Sequence, residues 1–113
     1  MAQILSIAYN ESLLLTRRLI LERMGHTVRS VDRLSEAHQL FAERDGHFDL
    51  IIVGHSVPYD DRAKIVEQSR IWSSCPILAL LRLNEEPLPG ADRSIISADP
   101  GAFMDAVREM LSH

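Results

Sequence analysis

Phe48-Asp49-Leu50-Ile51-Ile52-Val53-Gly54-His55-Ser56-Val57-Pro58 is the stretch around which the rest of the chain arranges itself. Its centre, Leu50 to Val53, is short, uninterrupted and rich in β-branched residues, the pattern of a strand buried on both faces in the middle of a parallel sheet. Gly54 and His55 follow directly and stand at the carboxyl edge of that sheet, where open α/β folds place their chemistry. What those positions carry, and what they lack, decides the function.

Upstream, Ile4 to Ala8 is a short apolar strand. Asn10 follows where an N-cap side chain satisfies the first free amides of a helix, and Glu11 adds a favourable first-turn charge. Leu13, Leu14, Ile20, Leu21 and Met24 recur at helical spacing, with Arg17, Arg18, Glu22 and Arg23 expected largely on the opposite side, until Gly25 supplies the C-cap. Thr27 to Val31 is a brief β-branched strand. Asp32 is expected to cap a second helix carrying Leu34, Ala37, Leu40 and Phe41, which Asp45-Gly46 ends.

Downstream of the opening stretch, Pro58 and the acidic pair Asp60-Asp61 start a third helix through Ile65, Val66 and Trp72. Pro76 to Leu81 is another buried strand and Ser94 to Ser97 a weaker fifth. Asp99-Pro100 is a helix start, an N-cap followed by proline at the first position, leading to Phe103, Val107, Met110 and Leu111. Strands alternating with helical segments predict an α/β fold: a five-stranded parallel sheet with helices on both faces and right-handed crossovers. One unit breaks the rhythm. Between Leu81 and Ser94, Pro87, Pro89 and Gly90 leave too little uninterrupted chain for a helix, so a loop or one short turn is predicted there.

At 113 residues the prior is one domain, spanning 1–113. Apolar content of 46% beside 25% charged residues argues for a folded globular chain with a real core. Twelve basic against sixteen acidic residues give a net charge of −4, with no basic block, so nucleic acid and anionic membrane are not expected partners; Arg17-Arg18 is only a pair. The lone Cys75 cannot form an internal disulfide and reads as a plain thiol, which suits a reducing cytoplasm. No cationic leader precedes Ile4-Leu5, and no apolar run approaches bilayer length, so a soluble cytoplasmic protein is expected. Ser112-His113 reads equally as native or as the remnant of a tag.

In this order and spacing, Ile4-Leu5-Ser6-Ile7, Met24-Gly25-His26-Thr27-Val28, Asp49-Leu50-Ile51-Ile52-Val53 with Pro58 beyond, Pro76-Ile77-Leu78-Ala79-Leu80, Gly90-Ala91-Asp92 and the closing helix from Asp99 resemble the receiver domain of two-component response regulators. The resemblance covers nearly the whole chain. It implies a flavodoxin-like fold of sheet order 2-1-3-4-5, in which the counterpart of the family's fourth helix is the shortened Arg82–Arg93 segment. It also implies phosphoryl transfer to an aspartate, with Mg²⁺ on two further acidic residues and a hydroxyl and a lysine on the phosphoryl group. Each role has a reason: the nucleophile is a carboxylate, a hard divalent cation takes oxygen ligands, and an amine offsets phosphate charge. Carried over by position, the acidic pair falls on Ala8 and Tyr9, the acceptor on Gly54, the hydroxyl on Leu81 and the lysine on Ser97 or a neighbour. None of the five is kept, and no lysine follows Lys64. The resemblance is therefore to a pseudo-receiver that keeps the scaffold and lacks the phosphorylation chemistry, and no Mg²⁺ or other cofactor is expected.

His55 and Ser56, with Asp60 and Asp61 beyond, suggest a metal or phosphate-relay cluster; without a further ligand at matching spacing they read as a polar loop and a helix start. Tyr9 and Leu81 are expected to fill the emptied pocket. Trp72 is core or a partner anchor, with partial burial expected. Loss of the fourth helix is expected to uncover apolar surface unless the proline loop packs down over it. The function expected is a non-enzymatic signalling or adaptor module that binds a protein partner or a second copy of itself. Its candidate interface is Pro87, Leu88, Pro89, Ile95, Phe103 and Val107. The alternative is a small-ligand sensor using the crevice at the carboxyl edge of the sheet. Against it, Tyr9-Asn10-Glu11-Ser12 replaces any glycine-rich phosphate loop after the first strand.

Overall fold

The computed structural model describes residues 1–43, 47–97 and 99–112. In chain order they form β1 (Gln3–Ile7), α1 (Glu11–Arg23), β2 (Thr27–Val31), α2 (Leu34–Glu43), β3 (Leu50–Val53), α3 (Tyr59–Trp72), β4 (Ile77–Leu81), β5 (Arg93–Ile96) and α4 (Pro100–Leu111). All strand pairs are parallel and the sheet order is β2-β1-β3-β4-β5, as the resemblance implies. β3 is central, and each of its four residues is fully buried.

Side-chain alternation along the strands divides the core into two layers. Ile51, Val53, Ile77, Ala79 and Leu81 pack toward Ala37, Leu40 and Phe41 of α2 and Ile65 and Val66 of α3. Leu50, Ile52, Leu78 and Leu80 pack on the other face, with Leu21 of α1 and Phe103, Ala106, Val107 and Met110 of α4. Trp72 is half-buried, its ring 5.7 Å from Phe41 and 5.9 Å from Phe48, so it closes the α2–α3 layer.

Local signals explain most helix ends. The Asn10 side chain accepts from the Leu13 amide, and Asp99 accepts from the amides of Gly101 and Ala102 with Pro100 at the first position. Gly25, at φ +94°, ends α1 in a paired-bond cap: its N–H donates to Glu22 O at 3.0 Å and that of His26 to Leu21 O at 3.1 Å. Asp32 departs from expectation. α2 begins at Leu34, and the Asp32 carboxylate accepts instead from Arg33 Nε at 3.0 Å. β5 begins one residue earlier than its β-branched run, at Arg93. The Asp45-Gly46 stop lies outside the described residues.

The segment from Arg82 to Asp92 contains no helix, as its prolines predict. It packs down rather than standing away from the body. Leu88 is buried in the α2–α3 layer, its N–H donates to Ser94 Oγ at 3.1 Å, and Ala91 N–H donates to Leu88 O at 3.2 Å. Gly90, at φ +85°, lies so close to α3 that an added Cβ would stand 2.7 Å from Val66 Cγ1. Glu85 fastens the other end, accepting from Arg62 Nη2 at 2.8 Å and from the Arg82 amide at 2.6 Å. No described helix is long and apolar enough to cross a membrane.

Candidate functional site at the carboxyl edge of the sheet

β1, β3, β4 and β5 all deliver their last residues to one edge, which gathers Ala8, Tyr9, Gly54, His55, Leu81 and Ser97. Ala8 and Gly54 are neighbours: a Cβ on Gly54 would lie 3.3 Å from Ala8 Cβ and 3.3 Å from Ile7 O. The same Cβ would lie 2.5 Å from Nη1 of Arg17. A guanidinium from α1 therefore occupies the space above Gly54, and a larger residue there would have to displace it.

This placement corrects the assignment of Arg17 to the outer face of α1. Arg17 is 6% exposed and lies on the stripe of Leu14 and Leu21, at i+3 and i+7 from Leu14. Its Nη1 is buried without a hydrogen-bond partner among the described residues. Burial pulls the guanidinium below its ordinary pKa, although it remains a cation at neutral pH. His55 sits beside it with a buried Nδ1 that likewise finds no partner. Burial also lowers the His55 pKa, and the charges of Arg17, Arg82 and Arg62 act in the same direction against an opposing pull from Glu85.

Arg17 and His55 line a cavity of about 370 Å³ between α1 and α4, with Leu80, Ser97 and Phe103 among its walls. Tyr9 and Leu81 are not among its walls. Leu81 points into the α2–α3 layer, 3% exposed. Tyr9 packs against that same layer, its backbone N–H donating to Ser56 Oγ at 2.9 Å and its hydroxyl to Asp61 Oδ2 at 3.0 Å. Burial first, and the Asp61 carboxylate second, hold the Tyr9 phenol well above its ordinary pKa. Ser56 and Asp61 are thus engaged in positioning Tyr9, Asp60 is exposed in the first turn of α3, and His55 lines the cavity between α1 and α4. Among the described residues no group of three or more His, Cys, Asp or Glu side chains is placed to hold a metal ion. Cys75 is buried, and its thiol is pushed up to about 12 by desolvation, then by the Asp49 charge.

The candidate interface residues divide in two. Leu88, Phe103 and Val107 belong to the core, at 4%, 4% and 0% exposure, and are not available on the surface. Pro87 and Pro89 are exposed and Ile95 is half-buried. Leu83 and Ile96, which the sequence reading did not select, are exposed on the same flank. Apolar character alone does not distinguish a core position from a docking one, and burial of Leu88 follows from the turn that Gly90 permits.

No family model and no curated protein matches this sequence. Solved structures do match in shape. A two-component response regulator from Clostridium difficile superposes with a TM-score of 0.84 at 20% identity, covering 100% of this chain and 98% of that one. A response regulator receiver protein from Burkholderia phymatum gives 0.83 at 12% identity, covering 99% and 96%. The response regulator TrrA from Thermotoga maritima, in complex with Mg²⁺-BeF, gives 0.79 at 18% identity, covering 98% and 100%. With the sheet order and the length of chain matched, these likenesses show that the chain has the fold of the response-regulator receiver domain.

Proposed function

We propose that this chain is a receiver-like signalling module that operates without aspartyl phosphorylation, through contacts with a protein partner or a second copy of itself. The observation that carries the reading is the pair Gly54 and Arg17: where the resemblance implies an acceptor carboxylate, there is no side chain, and a buried cation fills the space. A guanidinium is no nucleophile toward a phosphoryl group, and Ala8 and Tyr9 supply no carboxylate for a divalent cation. We assign no enzymatic role, and with a net charge of −4 we favour a cytoplasmic protein partner over nucleic acid or membrane.

The docking flank we favour is the one remodelled by the Arg82–Asp92 loop, where Leu83, Pro87, Pro89, Ile95 and Ile96 lie together along the chain with partial or full exposure. A partner on this fold has precedent in the T. maritima histidine kinase ThkA in complex with TrrA. The test is incubation with Mg²⁺ and acetyl phosphate, followed by intact mass measurement. The unmodified mass is expected; a stable acyl phosphate would overturn the reading. Light scattering on the same sample separates self-association from a monomer that awaits another protein.

A further inference from the structure

Arg17 does not hold its surroundings together by any ion pair or hydrogen bond among the described residues, yet it is almost wholly buried. A buried donor left without a partner costs about 1–3 kcal/mol, more when charged. Nη1 itself is enclosed over Gly54, but the same side chain also lines the cavity between α1 and α4, which brings its charge to that cavity's wall. The charges acting on His55 are those of Arg17, Arg82 and Arg62, opposed by Glu85 alone. Glu85 is itself engaged by Arg62 and by the Arg82 amide. Among the described residues Arg17 is the one charged side chain in the cavity lining, with no carboxylate beside it there, so this end of the cavity favours an anion.

The remainder of the cavity is apolar. Leu13, Ile20, Leu80, Pro100 and Phe103 supply its apolar walls, and Thr16 and Ser97 complete the lining. A volume of about 370 Å³ is at the lower end of small-molecule sites. Bare inorganic phosphate would leave these apolar walls facing water, whereas a carboxylate attached to an apolar body satisfies both ends. We propose that the cavity between α1 and α4 is a binding site for a small organic carboxylate. The head group lies on Arg17 and His55, and the apolar body lies against Leu13, Ile20, Leu80 and Phe103. The proposal rests on the reading above only in that position 54 carries no phosphoacceptor; it adds a ligand input to a module read there as acting through its surface.

The test is an amide NMR titration of the full chain with benzoate, benzyl alcohol and inorganic phosphate. Benzoate is expected to shift the amides of Thr16, Gly54, His55 and Ser97 saturably. Benzyl alcohol and phosphate should each bind about tenfold more weakly, ~1.4 kcal/mol. Arg17→Met should reduce benzoate to the level of the alcohol, and Thr16→Trp, which fills the cavity from its rim, should abolish binding even if Arg17→Met does not fold. Absence of a saturable benzoate shift, equal binding of the alcohol or of phosphate, or full benzoate affinity in a folded Arg17→Met or Thr16→Trp overturns the site. The phosphodonor experiment is read separately. No acyl phosphate with no benzoate binding keeps the module reading and removes the site; an acyl phosphate with benzoate binding does the reverse.

Discussion

Replacing Arg17 by methionine should make the ligand-free protein more stable, an unusual expectation for a residue 6% exposed. The buried Nη1 has no partner among the described residues, so folding strips its hydration without replacement, at about 1–3 kcal/mol. Methionine keeps an unbranched apolar stem on the Leu14–Leu21 stripe and removes the guanidinium. The space vacated above Gly54 offsets part of the gain, on the order of 0.5–1 kcal/mol, because the neighbouring cavity lets the flexible side chain adjust. A net gain of about 1–2 kcal/mol is expected, or roughly 4–8 °C in Tm at this chain length. Urea unfolding measures it, as a raised midpoint at unchanged slope. A double-mutant cycle with Gly54→Ala locates the effect. In the native background the new methyl meets Nη1 at 2.5 Å, and because the guanidinium is the far end of a flexible side chain that can give way, the expected cost is at the low end for overpacking, about 1 kcal/mol. In Arg17→Met only the 3.3 Å approaches to Ala8 Cβ and Ile7 O remain, so the cost should shrink by at least ~0.5 kcal/mol. Loss of stability in Arg17→Met at unchanged slope, or strict additivity in the cycle, would refute the reasoning.

Two further outcomes are expected. Glu85→Gln leaves Arg62, 4% exposed, without its carboxylate and should lower stability by about 1–3 kcal/mol, with the earliest loss of amide protection in the Arg82–Asp92 loop; uniform protection at native stability would contradict it. Stability should also rise with pH up to the ordinary histidine value of about 6.5. Burial lowers the folded pKa of His55 and of His26, whose Nδ1 accepts from the Ala2 amide, so the unfolded chain binds more protons in that window. Their contribution is complete above about 6.5 and is lost as pH falls through the depressed folded values. Urea midpoints across this range test it, and Arg17→Met should weaken the His55 part, since Arg17 is one of its causes. A midpoint that falls as pH rises toward neutrality would contradict it.

Much of the fold is written in local periodicity and chain punctuation. The Leu50–Val53 and Ile77–Leu81 runs show burial on both faces without reference to anything distant, and Asn10 and Asp99 cap their helices through neighbours two or three residues away. The missing carboxylates at Ala8, Tyr9 and Gly54 are equally legible, because residue identity needs no geometry. Arg17 was legible only in part. Its phase with Leu14 and Leu21 marks the buried stripe, but a charge argues for the outer face. What decides between them is the room left by the missing side chain of Gly54, just past a strand remote in sequence, which no local pattern reports. Leu88, Phe103 and Val107 show the converse limit. Their apolar side chains fit a core and an interface equally, and the route of the Arg82–Asp92 loop places Leu88 in the former.

The closeness of Arg17 to Gly54 also ties together the outcomes of mutation at the two positions. A side chain introduced at position 54 meets the guanidinium before it meets anything else. An aspartate there would be met by that guanidinium and neutralised in an ion pair, unavailable to a divalent cation or a phosphodonor. The two positions are therefore coupled: a carboxylate at position 54 is free to act only in a chain that also lacks the guanidinium at position 17, and that second change removes the cation from this edge of the sheet.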